Sequence, residues 1–297
     1  MLGLGTAVSR GGFVDAGDSF VGLLDTYTGA AAAYSLRKMR TAYTGSAVSV
    51  RRSNDNLEAD IGFNSFGELD TVALAAHCGS NDGFVITWYD QASSNDVTQT
   101  DRTAQPKIYD GTTGVVTDNG KPAVNFDGSN DGLNCSTNLR TSTGASTVIQ
   151  VRNMPRTSSI INPLAFYKVQ RHLIEKTGLS NYDAISISTN ETASEFTKFT
   201  GADLSGQLLH IATWDGSSQT SGVDDVILYQ DGAQETGTNT SFSFGVTPSG
   251  TNSIGFRNDT SSQFCTGTMQ EVIVYLSDQS SNRTGIESNI NTFYSIF

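Results

Sequence analysis

The chain has 297 residues and a formal net charge of −12, with 18 lysines and arginines against 30 acidic residues. An acidic protein does not attract phosphate backbones, so nucleic acid is excluded as the main partner. Hydrophobic residues make up 37% of the chain, which is enough for a normal core. No apolar run reaches the roughly 18 residues that a membrane span requires, so no membrane partner is predicted.

The first 24 residues are rich in Gly, Ala and Ser and show no periodicity. They predict an N-terminal docking arm (residues 1–24) ahead of one domain (residues 25–297). The start of the arm has no charged segment followed by a long apolar one, so no signal peptide is predicted and synthesis in a host cytoplasm is expected. Apolar side chains such as Leu2, Phe13 and Phe20 indicate that the arm is buried against a partner.

Beyond the arm, short runs rich in Val, Ile, Tyr, Phe and Thr alternate with Gly, Asn and Asp, which predicts an all-β fold. Asp231 and Gly232 directly follow one such run and predict a hairpin, because both turn positions favour φ > 0. Many short strands separated by turn residues are typical of an antiparallel two-sheet sandwich. The ten clearest runs are 33–39, 47–52, 84–89, 122–126, 147–151, 184–188, 208–214, 226–229, 253–256 and 268–276.

Two helices are predicted, a short internal one and one at the C-terminus, because apolar side chains recur there at helical spacing. Ser277 and Asp278 are the cap candidates of the second helix, which is expected to cover an edge or an end of a sheet. The apolar residues are Leu69, Val72, Ala73 and Ala76 in the first helix, and Ile286, Ile290, Phe293 and Tyr294 in the second.

Cys78, Cys135 and Cys265 are too few and too scattered for a disulfide framework, and no pair has metal-ligand spacing. The odd count and the missing export signal predict three free thiols. His77 is adjacent to Cys78, but consecutive helical side chains point about 100° apart, so the two do not form a nucleophile–base pair. His172 and His210 are isolated in the sequence and are interpreted as structural.

A weak calcium candidate consists of Asp127, Ser129 and Asp131, which place oxygens at the first, third and fifth positions of a loop with Gly at the sixth. Position twelve, where a calcium loop carries an acidic residue, is Asn138. Tight turns use the same residues after a strand, so the turn is the favoured interpretation. No other cofactor is predicted.

Two further motifs have a structural and a functional interpretation. Trp88 could stack on a sugar, but it ends an apolar run and is predicted to lie in the core, with Tyr89 and Asp90 holding the following loop. The basic stretches at residues 37–40 and 51–52 lie in strand-like segments and are predicted to be solvated faces.

Two stretches of the chain carry motifs of known families, the first at residues 33–37, 50–56, 60–63, 69–74, 87–91 and 121–128, and the second at residues 226–232, 253–259 and 267–275. The first stretch, from about residue 31 to 127, resembles the N-terminal half of the α-L-arabinofuranosidase B catalytic domain, and similar patterns occur in bacteriophage structural proteins with a Met-Leu-Gly-Leu-Gly start. The second, from about residue 208 to 297, resembles the last strands of concanavalin-like (jelly-roll) and laminin-G sandwiches, which commonly end with a helix.

The arabinofuranosidase resemblance implies a retaining glycosidase, which needs two carboxylates about 5–5.5 Å apart. It points to Asp259 as the acid/base and, by a loose alignment, to Glu191 as the nucleophile. The family's Asp-Met-Glu-Asn-Asn nucleophile motif is missing from this sequence. The alternative interpretations are a turn residue for Asp259 and a loop charge for Glu191. Because the chemistry fails without either carboxylate, the sequence favours a protein that is not an enzyme.

The favoured hypothesis is a bacteriophage virion structural protein: a capsid decoration, fibre or tail-appendage subunit that displays a lectin-like sandwich to a host-surface glycan. Its predicted partners are other virion proteins, bound through the arm, and further copies of itself, with a trimer slightly preferred. No carbohydrate-binding residues are assigned. The alternatives are a carbohydrate-binding module and an arabinofuranosidase-like glycoside hydrolase that acts on host polysaccharide.

Deleting residues 1–24 is expected to leave a folded sandwich that no longer joins particles, because the arm supplies the apolar docking contacts. Copy number in purified particles measures this, and incorporation of the truncated chain at normal copy number would contradict the docking role.

Overall fold

The computed structural model describes residues 20–135, 137, 139, 145–154, 161–166, 170–176, 182–186, 197–200, 206–215, 226–239, 252–256, 261 and 263–297. These residues form the predicted mostly-β, antiparallel sandwich, with three helices among them. The helices are α1 (Leu23–Thr26), α2 (Thr71–Cys78) and α3 (Arg283–Tyr294).

The strands are β1 (Ala30–Ser35), β2 (Val48–Arg52), β3 (Glu58–Ile61), β4 (Gly83–Trp88), β5 (Val97–Thr98), β6 (Lys107–Asp110), β7 (Gly114–Val115), β8 (Thr117–Asp118), β9 (Lys121–Pro122), β10 (Val124–Asp127), β11 (Leu133–Cys135), β12 (Ser146–Asn153), β13 (Ile161–Phe166), β14 (Gln170–Lys176), β15 (Tyr182–Ser186), β16 (Thr197–Thr200), β17 (Leu208–Trp214), β18 (Val226–Gln230), β19 (Ala233–Gln234), β20 (Gly237–Asn239), β21 (Asn252–Ile254) and β22 (Thr266–Tyr275). Each of the ten predicted runs overlaps one of these strands.

One layer is built around β22, which pairs with β1 and β10 on one side and with β12 on the other. From β12 the order continues through β17, β18 and β19. The second layer runs from β3 through β2, β4, β5, β11, β21, β13, β14, β15 and β16 to β20. Strand β6 pairs with both β4 and β10 and so connects the two layers. All of these pairs are antiparallel.

A hydrophobic core fills the space between the layers, and a second core lies on the outer face of the β22 layer. Side chains alternate along β22, so Val272 and Val274 enter the inner core while Ile273 and Tyr275 enter the outer one. Trp88 is fully buried in the inner core, which confirms the sequence prediction.

Helix α3 covers a face of the β22 layer, not an edge or an end as predicted. Ile286, Ile290 and Tyr294 are buried against that face, because it carries apolar side chains, among them Ile273 and Tyr275, that the helix shields from water. The predicted cap is also wrong: the helix begins after Asn282, and Asp278 instead accepts a hydrogen bond from the amide of Ser280.

Helix α2 is present where predicted, but its buried face differs from the predicted one. Asp70 caps it by accepting a hydrogen bond from the amide of Ala73. Leu74 and Cys78 are buried, whereas Val72 is 79% exposed. The predicted hairpin is confirmed, with φ of 50° at Asp231 and 81° at Gly232 between β18 and β19.

Two arginines that were predicted to be solvated are buried and paired. Arg37 lies 2.8 Å from Glu271 beneath α3, and its guanidinium also donates to Asn289. Arg51 donates to Gln105 and to Asn56. The prediction was wrong because the aliphatic stems and the planar donors of arginine can be buried together when acceptors are available.

None of the three cysteines forms a disulfide, in agreement with the prediction of three thiols, and all three are buried. Each lies in the inner core cluster. Burial raises the pKa of the Cys78 thiol to about 11, so this thiol is not a nucleophile at neutral pH.

The packed chain begins before the predicted boundary at residue 25. Leu23 and Leu24 of α1 are 1% and 4% exposed in the outer core. Gly22 is required by a close approach, since a Cβ there would lie 2.1 Å from the carbonyl oxygen of Met39. Residues 1–19 of the predicted arm lie outside the described residues, and the docking role stays a prediction.

Replacing Leu23 with Ala is expected to lower the free energy of unfolding by about 2–5 kcal/mol, because it removes a fully buried side chain from the outer core. Val21→Ala is the matched control, since Val21 is 61% exposed and its loss should cost less than about 0.5 kcal/mol. Urea denaturation measures both, and equal stabilities would show that α1 belongs to the arm.

Candidate functional site

The two predicted catalytic residues, Glu191 and Asp259, lie outside the described residues, as does the side chain of His172. Other polar side chains of the described residues offer candidate sites. These fall into a brace beside β4, a turn after β10, a buried chain on β12 and β17, and a cavity on the outer face of the second layer.

The brace consists of Asp90 and Gln91, which directly follow β4. The Asp90 carboxylate accepts hydrogen bonds from the amides of Ala33 and Ala92 and from the Ser93 hydroxyl. The Gln91 side-chain amide accepts from the Met39 amide and donates to two carbonyls, one at the last residue of β1 and one just after the strand. Both side chains are at most 2% exposed. They hold one layer to the other, so this motif is structural, and the prediction that Asp90 holds the loop is confirmed.

The turn after β10 uses the oxygens of the weak calcium candidate internally. Asp127 Oδ1 accepts from the Ser129 amide at 2.7 Å, and Asp131 Oδ2 accepts from the Asp127 amide at 2.9 Å. These hydrogen bonds are those of a tight turn, and the weak calcium candidate stays a prediction. No cluster of three metal-ligating side chains occurs within the described ranges.

Asp131 is the most perturbed carboxyl group of this turn. It is 7% exposed. Burial, with a smaller contribution from nearby Asp127, raises the pKa of Asp131 to about 7. A carboxyl group with such a pKa is partly protonated at neutral pH, a property that general acids of glycosidases share.

A cavity of about 310 Å³ lies on the outer face of the second layer, beside this turn. Strand alternation explains its position, because Leu133 and Cys135 of β11 face the inner core and Asn134 between them faces outward. The cavity is lined by Gln99, Asp101, Ala104, Asn130, Asn134, Phe256, Ser261 and Phe264.

Two phenylalanines form one wall of this cavity. The rings of Phe256 and Phe264 are stacked, with centroids 5.5 Å apart and an interplanar angle of 9°. Phe256 is 7% exposed and lies against Gly132, where a Cβ would come within 2.2 Å of the ring. Phe264 is partly exposed in front of it. The inner ring therefore supports the outer one from behind.

On the polar wall of the cavity, some side chains are already hydrogen-bonded within the protein and others are not. Gln99 is engaged, because it donates to the carbonyl of Gly132 and accepts from the amide of Asp101. The side-chain amide of Asn134 makes no hydrogen bond to any described residue. Hydrogen bonds from Thr103 lower the pKa of Asp101, so its carboxylate is ionised at neutral pH. The cavity thus offers a neutral amide and a carboxylate next to an aromatic face.

His210 belongs to a buried polar chain elsewhere in the sandwich. Its Nδ1 lies 2.8 Å from Nη2 of Arg152, and its Nε2 lies 3.0 Å from Oε1 of Gln230. Burial and the charge of Arg152 lower the pKa of His210 to about 3. His210 is therefore neutral at physiological pH and links the strands, in agreement with its structural interpretation.

His77 and Cys78 do not form a catalytic pair. His77 Nε2 lies 3.1 Å from the carbonyl oxygen of Val50, while Cys78 points into the core. Among the described helices, none has the length and apolar character needed to cross a membrane.

No protein-family model matches the chain, and no curated protein matches its sequence. Solved structures do match. A GH54 α-L-arabinofuranosidase soaked with 4-nitrophenyl α-L-arabinofuranoside aligns with 88% of this chain, with a TM-score of 0.64 and 14% identity. A second arabinofuranosidase, complexed with arabinofuranosyl-α-1,2-xylobiose, aligns over the same share with a TM-score of 0.60 and 13% identity.

The alignment covers 62% of each of these longer chains. At such low identity the likeness establishes the sandwich fold that this chain has in common with the two arabinofuranosidases. The prediction of a protein that is not an enzyme is corrected by this comparison, because the structures that share the fold are glycosidases. Neither is a virion protein, so the bacteriophage hypothesis gains no support and stays a prediction.

Replacing Asp131 with Asn is expected to leave stability unchanged near pH 4 and to raise it above pH 7. An unfolded aspartate ionises near pH 3.9, whereas the native carboxyl retains its proton to about pH 7, so the native state loses stability as the pH rises between these values. Asn cannot ionise and still accepts from the Asp127 amide. The gain is at most roughly 4 kcal/mol, since one pKa unit corresponds to about 1.4 kcal/mol.

Urea denaturation at pH 4 and pH 8 measures this difference. Asp278→Asn is the control, because Asp278 accepts hydrogen bonds only within an exposed turn. If Asp131→Asn changes stability equally at both pH values, Asp131 is not the titrating group.

Proposed function

We propose that this domain is a glycoside hydrolase that acts on arabinofuranosyl-bearing carbohydrate, with its active site at the outer-face cavity. The observation that carries the proposal is the cavity itself, where a stacked aromatic wall faces an unengaged amide and an ionised carboxylate. Pockets of this kind, largely apolar with a few polar groups, are typical of small-ligand sites.

The sequence connects this cavity to the predicted acid/base. Phe256 and Ser261 both line the cavity, and Asp259 lies between them in the chain. A retaining glycosidase requires a carboxylic acid that protonates the leaving oxygen and a second carboxylate that attacks the anomeric carbon. We assign the first role to Asp259 and retain Glu191 as the candidate for the second.

The arabinofuranosidases that share the fold support arabinofuranosides as the first substrates to test. Two of them were solved with ligands that carry an arabinofuranosyl group. The proposal extends this ligand class to the present chain. The bacteriophage setting remains a separate prediction, which copy number in purified particles would test.

The chain is expected to release 4-nitrophenol from 4-nitrophenyl α-L-arabinofuranoside. Asp259→Asn should lower kcat by roughly 10²–10⁴-fold, the range for loss of a general acid, and Glu191→Gln should remove turnover. Glu58→Gln is the control, since Glu58 is exposed on β3, far along the chain from both candidates.

A thermal unfolding midpoint equal to the wild-type value in each variant would show that the fold is retained. Turnover at wild-type rates in both Asp259→Asn and Glu191→Gln would refute the residue assignment. An absence of turnover on aryl arabinofuranosides, arabinopyranosides, xylosides and galactosides alike would refute the glycosidase proposal.

A further inference from the structure

We propose that the outer-face cavity is a subsite for a single neutral sugar ring, which stacks on Phe264 and hydrogen-bonds the amide of Asn134. Only the chemical class of the ligand, a carbohydrate, rests on the proposed function. The residues, the stacking and the charge preference are inferred from the cavity alone.

The stacking surface is Phe264, and Phe256 behind it makes that surface rigid. The two rings are nearly parallel, and Phe256 is held between Phe264 and Gly132. The absence of a side chain at Gly132 is what admits the inner ring, because a Cβ would overlap it. A supported aromatic ring with a partly exposed face offers an apolar sugar face a binding surface that needs no rearrangement.

The hydrogen-bonding groups beside this surface suit hydroxyls. An Asn side chain both donates and accepts, which matches two neighbouring hydroxyl groups of a sugar. The side-chain amide of Asn134 makes no hydrogen bond to the described residues, so it is available to a ligand. The second oxygen of Asp101 is available as well, because both bonds from Thr103 go to Oδ1.

The charge of the lining selects neutral sugars. None of the eight lining residues that the structure describes is basic, and Asp101 is ionised at neutral pH. A sugar acid would place its carboxylate near Asp101 with no arginine or lysine of the lining to compensate. The volume of about 310 Å³ lies at the small end of the range for ligand pockets, which suits one ring.

The experiment measures binding of arabinofuranosyl-α-1,2-xylobiose by calorimetry in a Glu191→Gln background, with product analysis to confirm that the ligand stays intact. Phe264→Ala should weaken binding by about 3- to 10-fold, from the loss of an aromatic contact. Asn134→Ala should weaken it by about 3- to 10-fold, from the loss of a hydrogen bond. Phe264→Tyr should retain the affinity, because it retains the ring.

Two controls separate stacking from general packing. Phe66→Ala removes a phenylalanine that is 80% exposed elsewhere and should leave affinity unchanged. Phe264→Leu keeps an apolar side chain against Phe256 but removes the ring face, so it should retain the thermal midpoint and lose affinity. Wild-type affinity in both Phe264→Ala and Asn134→Ala overturns the subsite, and so does preferential binding of a galacturonic acid oligomer.

The outcomes also distinguish this subsite from the proposed function. Binding that depends on Phe264 and Asn134 without any hydrolysis by the wild-type chain supports the subsite and refutes the glycosidase. Hydrolysis by the wild-type chain with an unchanged KM in Phe264→Ala and Asn134→Ala supports the glycosidase and refutes the subsite.

Discussion

From Met269 to Tyr275, strand β22 meets solvent on neither face, and the rest of the sandwich is arranged around that constraint. Its inward side chains pack against the second layer, and its outward ones pack beneath α1 and α3. A strand in this position must be apolar on both faces, which explains the near-continuous run of Val, Ile and Tyr from Val272 to Tyr275. The polar exceptions are Gln270 and Glu271, both of which are fully buried, and Glu271 brings a charge into the interior. Arg37, the Ser35 hydroxyl and the Tyr294 hydroxyl donate hydrogen bonds to the Glu271 carboxylate. This one carboxylate therefore connects β1, β22 and α3. Removing one partner of such a pair leaves an uncompensated buried ion, which typically costs about 3–5 kcal/mol.

The local signals in the sequence predicted most of the elements, because strands, turns and helices depend on neighbouring residues. The pair Asp231–Gly232 specifies its hairpin through backbone conformation alone. The partners of a side chain depend on residues far away in sequence. Arg37 and Glu271 are 234 positions apart, and nothing near either residue indicates that they meet. For the same reason the sequence could predict that α3 exists but not which surface it covers, since that depends on an apolar outer face assembled from β1, β12, β17 and β22.

The sequence could not predict the lining of the candidate site, for a related reason. Its lining comes from the loops that follow β5, β10 and β21, from the middle of β11, and from the segment that precedes β22. Each segment contributes one to three side chains. A single amide in a loop is interpreted as a turn residue, and a single phenylalanine is interpreted as a core residue. One signal was available: Asn134 stands between two apolar residues of a short strand, which places it on the opposite face from the core. That pattern marks an outward polar residue but does not reveal that two stacked rings face it.

The motif at residues 87–91, one of those on which the arabinofuranosidase resemblance rests, has a structural role that is separate from catalysis. Asp90 and Gln91 use nearly all of their hydrogen-bonding capacity to hold β1 and the segment after it against β4. Replacing a buried polar group that is fully hydrogen-bonded costs folding free energy, because its partners are left without hydrogen bonds. The fold therefore requires such a motif whether or not the protein has a catalytic site. The motif is thus a signature of the sandwich, and by itself it supports neither an enzyme nor a display protein. A function for this chain has to be argued from groups that the fold leaves unengaged. The Asn134 amide, the second Asp101 oxygen and the supported face of Phe264 are such groups, and they lie together in one cavity.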